Sequence, residues 1–487
     1  MSSTAAETTT PVLDPHRWLA LAVIATSTLM VVLDSSIVTI ALPDAQSELG
    51  ISDTDRQWIV TAYGLAFGGL LLVGGKIADH FGRKRMFLVG LAGFAAASAL
   101  GGAADGQQML IVARALQGAF AAVLAPAALS MLVVTFTDER ERAKAFGVYG
   151  AVQGAGGALG LVAGGLLTEY VDWRWCLYVN VPIGVVVGLV AIPLLAHSRP
   201  DRTHGHDVLG AVLASGGLAV LVFGFTRAAD PRAGWLDGST IAILAAALIL
   251  LGAFALVESR VRHPMLPLRV ILHRDRGGAL LGQLLIFSGI FGLFLFLTFY
   301  FQVNLGYTPV RAGLAFLPFS AGIVLTAALA STLMSRFGAK KILVTGTAVA
   351  VAGLLWLTRL DTAGGFIDVV LPAEIVMSIG IGLVLVPATA LALAGVRPGD
   401  AGVASALVNT TQQVGGALGT ALLNTLYVGA VARYVSTHGG QTALEAQLHG
   451  YRVAFLAGAA LLALALGIFA TLIRRDGGAL SPTGGSL

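Results

Sequence analysis

Asp34, Arg114 and Glu374 stand where charge is expensive, each inside an otherwise apolar run of this 487-residue chain. An ionised group in such a setting costs several kcal/mol unless it meets a partner or a wet cavity, so each is a candidate for function rather than for solubility. Asp34 has the shape and charge to hold either a proton or a cation. Arg114 stays protonated while Asp34 titrates, and a fixed positive charge nearby tunes how readily the acid releases its proton. At 1.5 Å per helical residue Asp34 lies about 12 Å deep, close to the depth of Arg114. Glu374 lies only about 9 Å beyond Asp368, which leaves open a substrate or proton site and an interface residue. Asn409 and Gln413 add neutral hydrogen-bonding groups, either ligand contacts or glue between helices.

Other chemistries find few residues. The nine histidines fall in loops or at the ends of apolar runs, and, with Asp368 only at the edge of its run, no two carboxylates lie together inside one, so a membrane-embedded enzyme is only a remote alternative. A single cysteine, Cys176, excludes an internal disulfide and a thiolate zinc site. Gly74-Gly75-Lys76-Ile77 lacks the Ser or Thr and the glycine spacing of a phosphate-binding loop, and Gly154-Ala155-Gly156 has no strand before it. His204-Gly205-His206-Asp207 reads as a solvated linker. No metal or cofactor is expected.

The elements that must position these side chains follow from composition. Hydrophobic residues make up 56% of the chain and charged residues 11%, with a mean hydropathy of +0.84. An average soluble domain carries about 25% charge, so the solvent here is hydrocarbon. About fourteen apolar runs of helical-span length follow one another, near 18–42, 57–75, 86–102, 109–134, 143–168, 177–196, 207–226, 239–257, 278–302, 312–334, 341–358, 368–394, 402–431 and 451–473. They are continuous rather than alternating, which excludes a β-barrel, and the first is too long for a signal peptide. Basic residues are dispersed in short clusters between runs, which argues against nucleic acid. Most lie in alternate loops, among them Arg83-Lys84-Arg85, Arg140/Arg142/Lys144 and Arg336/Lys340/Lys341, so both termini are expected in the cytoplasm, with the chain in the plasma membrane.

An internal repeat orders the runs. Asp79-His80-Phe81-Gly82-Arg83-Lys84-Arg85 returns as Ser335-Arg336-Phe337-Gly338-Ala339-Lys340-Lys341, and Leu124-Ala125-Pro126-Ala127 as Leu385-Val386-Pro387-Ala388. Gly156-Gly157-Ala158-Leu159-Gly160 returns letter for letter at 415–419. The division this predicts is a six-helix bundle over 1–200, an inserted helix pair over 201–262, and a second six-helix bundle over 263–487.

Gly75-Lys76-Ile77-Ala78-Asp79-His80-Phe81-Gly82-Arg83-Lys84-Arg85 resembles the signature loop of the major facilitator superfamily, and the resemblance covers nearly the whole chain. Leu33-Asp34-Ser35-Ser36 through Pro43, the run Leu110 to Gly118 around Arg114, and Trp173-Arg174-Trp175 through Gly184 are similar to its drug:proton antiporters with fourteen spans. Gly156, Gly160, Gly164 and Gly165 match that family's antiporter motif, from which this chain departs at Leu161, where Pro is usual. The resemblance implies an all-α membrane protein of the major facilitator fold, two six-helix bundles plus two inserted helices. It implies export of hydrophobic or cationic small molecules in exchange for protons, with Asp34 and Arg114 in proton coupling; by their chemistry Asp34, Glu374, Gln413 and Asn409 are the candidate substrate residues. Gly75, Asp79, Gly82, Arg83 and Arg85 would set the gating. A dedicated exporter of a secondary metabolite or amino acid is the alternative on the same fold. The expected partners are small-molecule substrate, protons and membrane lipids, with no nucleic acid, and the expected state is a monomer.

Overall fold

The computed structural model describes residues 15–136, 138–195, 208–229, 234–261, 264, 271–361, 365–396, 401–438 and 443–474. Every apolar run is helical: α1 (Arg17–Glu48), α2 (Gln57–Phe81), α3 (Arg83–Gly102), α4 (Gln107–Thr135), α5 (Glu139–Tyr170), α6 (Trp175–Leu194), α7 (Val208–Ala229), α8 (Gly238–Arg260), α9 (Arg274–Asn304), α10 (Pro309–Phe337), α11 (Ala339–Leu357), α12 (Phe366–Leu393), α13 (Ala401–His438) and α14 (Ala443–Leu472). Among the described residues 12 helices are long and apolar enough to cross a membrane, while α2 and α7 contribute the shorter apolar stretches Gln57–Leu71 and Val212–Ala228. The His204–Asp207 linker lies outside the described residues.

The breaks between helices are built by residues that tolerate unusual backbone. Gly82 at φ +95° separates α2 from α3, and Gly338 at φ +83° separates α10 from α11 at the matching place in the repeat. Only glycine adopts that region without strain, so the two echoed loops turn the chain in the same way. The outer turns of α9 and α12 widen into π-helix at Tyr300–Asn304 and Phe366–Val370.

The two sets of six helices make the same neighbours. In the first, α1 packs on α5 and α6, α2 on α4, and α3 on α4 and α6. In the second, α9 packs on α13 and α14, α10 on α12, and α11 on α12 and α14. The sets meet along two equivalent seams, α2 against α13 and α5 against α10, and where α1 touches α9. The α7–α8 hairpin packs through α7 on both α2 and α13, so it covers one seam and leaves the other bare.

Small residues let these helices approach. A Cβ on Gly164 would lie 2.7 Å from the Ile37 carbonyl oxygen, and one on Gly160 would collide with Ser36 and the Leu33 carbonyl, which fixes α5 across α1 beside Asp34. Gly415 and Gly419 do the same for α13 against Leu284 and Ser288 of α9. Gly165 instead abuts Pro309 and Val310 on the bare seam. With Leu161 in place of Pro, α5 runs unbroken.

Candidate functional site

The turn at Gly82 and the N-terminus of α1 share one end of the molecule, here the basic end, and the loops from Leu49 to Gln57 and from Leu305 to Pro309 mark the far end. A cavity of about 1630 Å³ lies between the two six-helix sets. It runs from Lys76, His80 and Arg83 at the basic end to Thr39, Val60 and Leu295, and Gln153 and Asn409 on its walls are exposed. Both sets contribute, with Ser35 and Ser36 of α1 facing Phe291, Ser320, Ile381 and Gln413 of α9, α10, α12 and α13.

At the far end the two sets close on each other. Arg56, 2% exposed, reaches across the α2–α13 seam, its guanidinium 4.0 Å from the Phe299 ring centre and 5.0 Å from that of Tyr427. Its Nε donates to Asn424 Oδ1 at 3.3 Å, and Asn424 Nδ2 donates back to the Asp53 carbonyl at 2.9 Å. Gln302 Nε2 donates to the Ile40 carbonyl at 2.9 Å, and the Val310 backbone N–H donates to Glu169 Oε2 at 2.9 Å. Nothing local in the sequence marks this seal, since Arg56 stands in a loop between two apolar runs.

Asp34 and Arg114 meet, as their depths suggest. Arg114 Nη1 lies 2.5 Å from Asp34 Oδ2, with the two side chains 1% and 0% exposed. Gln117 Nε2 donates to Asp34 Oδ1 at 2.9 Å and Asn180 Nδ2 donates to the same oxygen at 2.7 Å. Arg114 also donates through Nη1 to Gln117 Oε1 at 2.9 Å and through Nε to the Ile59 carbonyl at 3.1 Å, and stacks 4.4 Å over the Tyr63 ring. A buried ion pair survives when its remaining lone pairs and protons are satisfied, and this network does so from α1, α2, α4 and α6. Gln117 and Asn180 are the partners the sequence reading missed. The signals were present, one helical turn after Arg114 and inside the Trp173–Gly184 segment, but neutral amides in apolar helices look like packing.

Asp34 does not line the cavity. Val31, Val32, Ser35 and Ser36 do, and the acid points from the back of α1 towards α4 and α6. Glu374 is also off the cavity, 0% exposed, with neither carboxylate oxygen hydrogen-bonded among the described residues. It is enclosed by protein. By spacing it shares a helix face with Ile381 and Leu385, which line the cavity, about 10 Å further towards the far end. Asn409 and Gln413 line the cavity, and Gln413 Oε1 is buried without a partner.

Within the signature loop, Gly75 lines the cavity, while its neighbour Gly74 makes the close approach, against the Ala122 carbonyl of α4. The backbone of Asp79 is helical, at the end of α2, and its side chain lies outside the described residues. Arg83 reaches the cavity mouth, Arg85 is exposed, and Lys84 is buried and donates to the Ile192 carbonyl at 2.7 Å. Arg17 pairs with Glu141 through Nε at 2.7 Å, tying α1 to α5 at the basic end. That hydrogen bond holds the Glu141 carboxyl below its ordinary range.

A family model described as Major Facilitator Superfamily matches residues 24–420. The puromycin resistance protein of Streptomyces alboniger is 50% identical over 460 residues, covering 93% of this chain and 91% of that protein. The cephamycin export protein of Amycolatopsis lactamdurans is 39% identical over 411 residues, 84% of each chain. Among solved structures, a bacterial homolog of the human lysosomal transporter Spinster superposes with a TM-score of 0.68 at 16% identity, covering 96% of this chain and 100% of that one.

Proposed function

Since the chain belongs to the major facilitator superfamily, we propose that it is a proton-coupled antiporter that exports amphipathic, antibiotic-like small molecules across the plasma membrane by alternating access. The observation that carries this reading is a cavity shared by both six-helix sets, open at one end and sealed at the other, beside a buried Asp34–Arg114 pair. The basic end is the cytoplasmic one, as loop charge requires, so the cavity faces cytoplasm and both termini lie there. The division over 1–200, 201–262 and 263–487 supplies the two bundles that rock and the inserted hairpin, and we count α2 and α7 as spans to reach fourteen.

In this cycle Asp34 takes a proton from outside when the far end is open. A neutral acid no longer needs Arg114, so the guanidinium and the Gln117 and Asn180 amides relax, and the α1–α4–α6 contact shifts. Proton release to the cytoplasm restores the ion pair seen here. Asp34 thus acts through helix geometry rather than by touching cargo. A carrier dedicated to one natural product is the second reading, favoured by relatives named for puromycin and cephamycin. Uptake of a panel of such compounds into everted vesicles, with and without a proton gradient, tests both: flux indifferent to the gradient refutes the coupling, and flux of one compound alone selects the second reading.

A further inference from the structure

We propose that the cavity selects uncharged and acidic ring systems and rejects cations, a selectivity that rests on the exporter reading above and narrows its cargo. Among the described residues the cavity is lined by no Asp or Glu, and its only lysine, arginine and histidine are Lys76, Arg83 and His80, all at the mouth. Neither membrane-embedded acid reaches a ligand in this conformation. Both oxygens of Asp34 are taken by Arg114, Gln117 and Asn180 on the far side of α1, and Glu374 is fully buried and does not line the cavity.

The magnitudes decide the outcome. A cation entering here leaves bulk water for a chamber without a counter-charge, and the effective penalty of desolvating an ion is several kcal/mol even after relaxation. Phe287, Phe291, Phe294 and Phe319 offer ring faces, but a cation–π contact returns only about 0.5–2 kcal/mol. The ring of Tyr63 is already occupied by Arg114. A neutral polycycle pays no such penalty and gains from the same rings. An acidic one meets the same desolvation cost, offset by the basic residues at the entrance and by the amide donors of Gln412 and Gln413 on α13.

The test uses the purified full-length chain in lipid nanodiscs and one fluorescent polycyclic scaffold carrying a carboxylate, a carboxamide or a quaternary ammonium. The carboxylate and carboxamide forms should bind within a few-fold of each other, and the ammonium form at least tenfold more weakly. Gln413→Glu, which places an acid on the cavity wall, should tighten ammonium binding about tenfold; Ser320→Asp makes the same test from α10 if the first variant does not fold. Ammonium binding equal to or tighter than carboxamide binding in the unmodified chain overturns the selectivity alone. Failure of all three forms to bind overturns the exporter reading and the selectivity with it.

Discussion

The two six-helix sets are built alike and charged differently. At the level where α4 carries Arg114, the repeat places Glu374 on α12, within one residue of the matching position when Pro126 is laid on Pro387. In the first set Arg114 is met by an acid, an amide and a backbone carbonyl, and a second amide, Asn180, holds the acid. In the second, α9 has no Asp, Glu, Lys, Arg or His between Arg276 and Asn304, and Glu374 has no hydrogen-bond partner among the described residues. One symmetric scaffold therefore holds a network that pins its helices by charge and a carboxyl enclosed with no hydrogen-bond partner among the described residues. Symmetry of backbone does not impose symmetry of chemistry.

The largest effect should come from breaking the network on one side only. Arg114→Met leaves Asp34 buried and uncompensated, and thermal unfolding in detergent should show a loss of about 3–5 kcal/mol, the usual cost of removing one partner of a buried pair. Asp34→Asn keeps the shape but turns an amide N–H towards donors and leaves the buried Arg114 without its counter-charge, so it should lose stability on the same scale, and in the protein that still inserts gradient-driven efflux should fall to background; wild-type efflux in this variant would reassign Asp34 to structure.

Glu374→Gln probes the other side and should cost no more than about 1 kcal/mol, because no ion pair is lost. Its signature is in pH instead. In the proposed cycle opening the far end exposes the Glu374 carboxyl, and the expected outcome is that raising the pH on that side favours the far-open state. Closure kinetics followed by spin-label distances between α2 and α13 should lose that pH dependence in Glu374→Gln and keep it in Glu374→Asp. Unchanged pH dependence in the glutamine variant would mean the sets differ in sequence but not in behaviour.

Arg56→Gln tests the seam common to both. It removes two ring contacts, each worth about 0.5–2 kcal/mol, along with the Nε bond to Asn424 and the pairing with Asp53, so the same spin-label pair should show the far end open more often. The smallest effect belongs to Glu141→Gln at the basic end. The Arg17 hydrogen bond lowers the Glu141 carboxyl, so its contribution is present above the ordinary carboxylate range and lost as pH falls through the lowered value. A slight drop in melting temperature at neutral pH, vanishing in acid, is the expected result.

Much of this architecture was legible because hydrocarbon imposes a simple code. The apolar runs, the Gly82 and Gly338 turns and the Asp34–Arg114 pairing follow from length, backbone permissiveness and the cost of buried charge. What escaped was set by direction rather than by type. Nothing in Leu33-Asp34-Ser35-Ser36 says that the serines face the cavity and the acid turns away. Arg56 lies in a loop by sequence and in a stack of rings by structure, because its partners Phe299, Tyr427 and Asn424 are hundreds of residues distant. The true burial of Glu374 depends on how Tyr300–Asn304 and Phe366–Val370 wind, which local sequence does not declare.

The inserted hairpin gives the cycle a resting side. Near its far end, adjacent residues of α7 are stitched to different sets: Gln57 Nε2 donates to Thr226 Oγ1 at 2.8 Å, and Thr425 Oγ1 donates to the Phe225 carbonyl at 2.8 Å. When α2 and α13 part there, α7 cannot follow both, and at least one of these bonds is given up. A net loss of about 0.5–1.5 kcal/mol corresponds to a preference of roughly two- to twelve-fold for the closed far end. Under the proposed cycle an idle carrier is thereby parked with its chamber open at the basic end, and a relative lacking the hairpin would have to secure that waiting posture by other contacts.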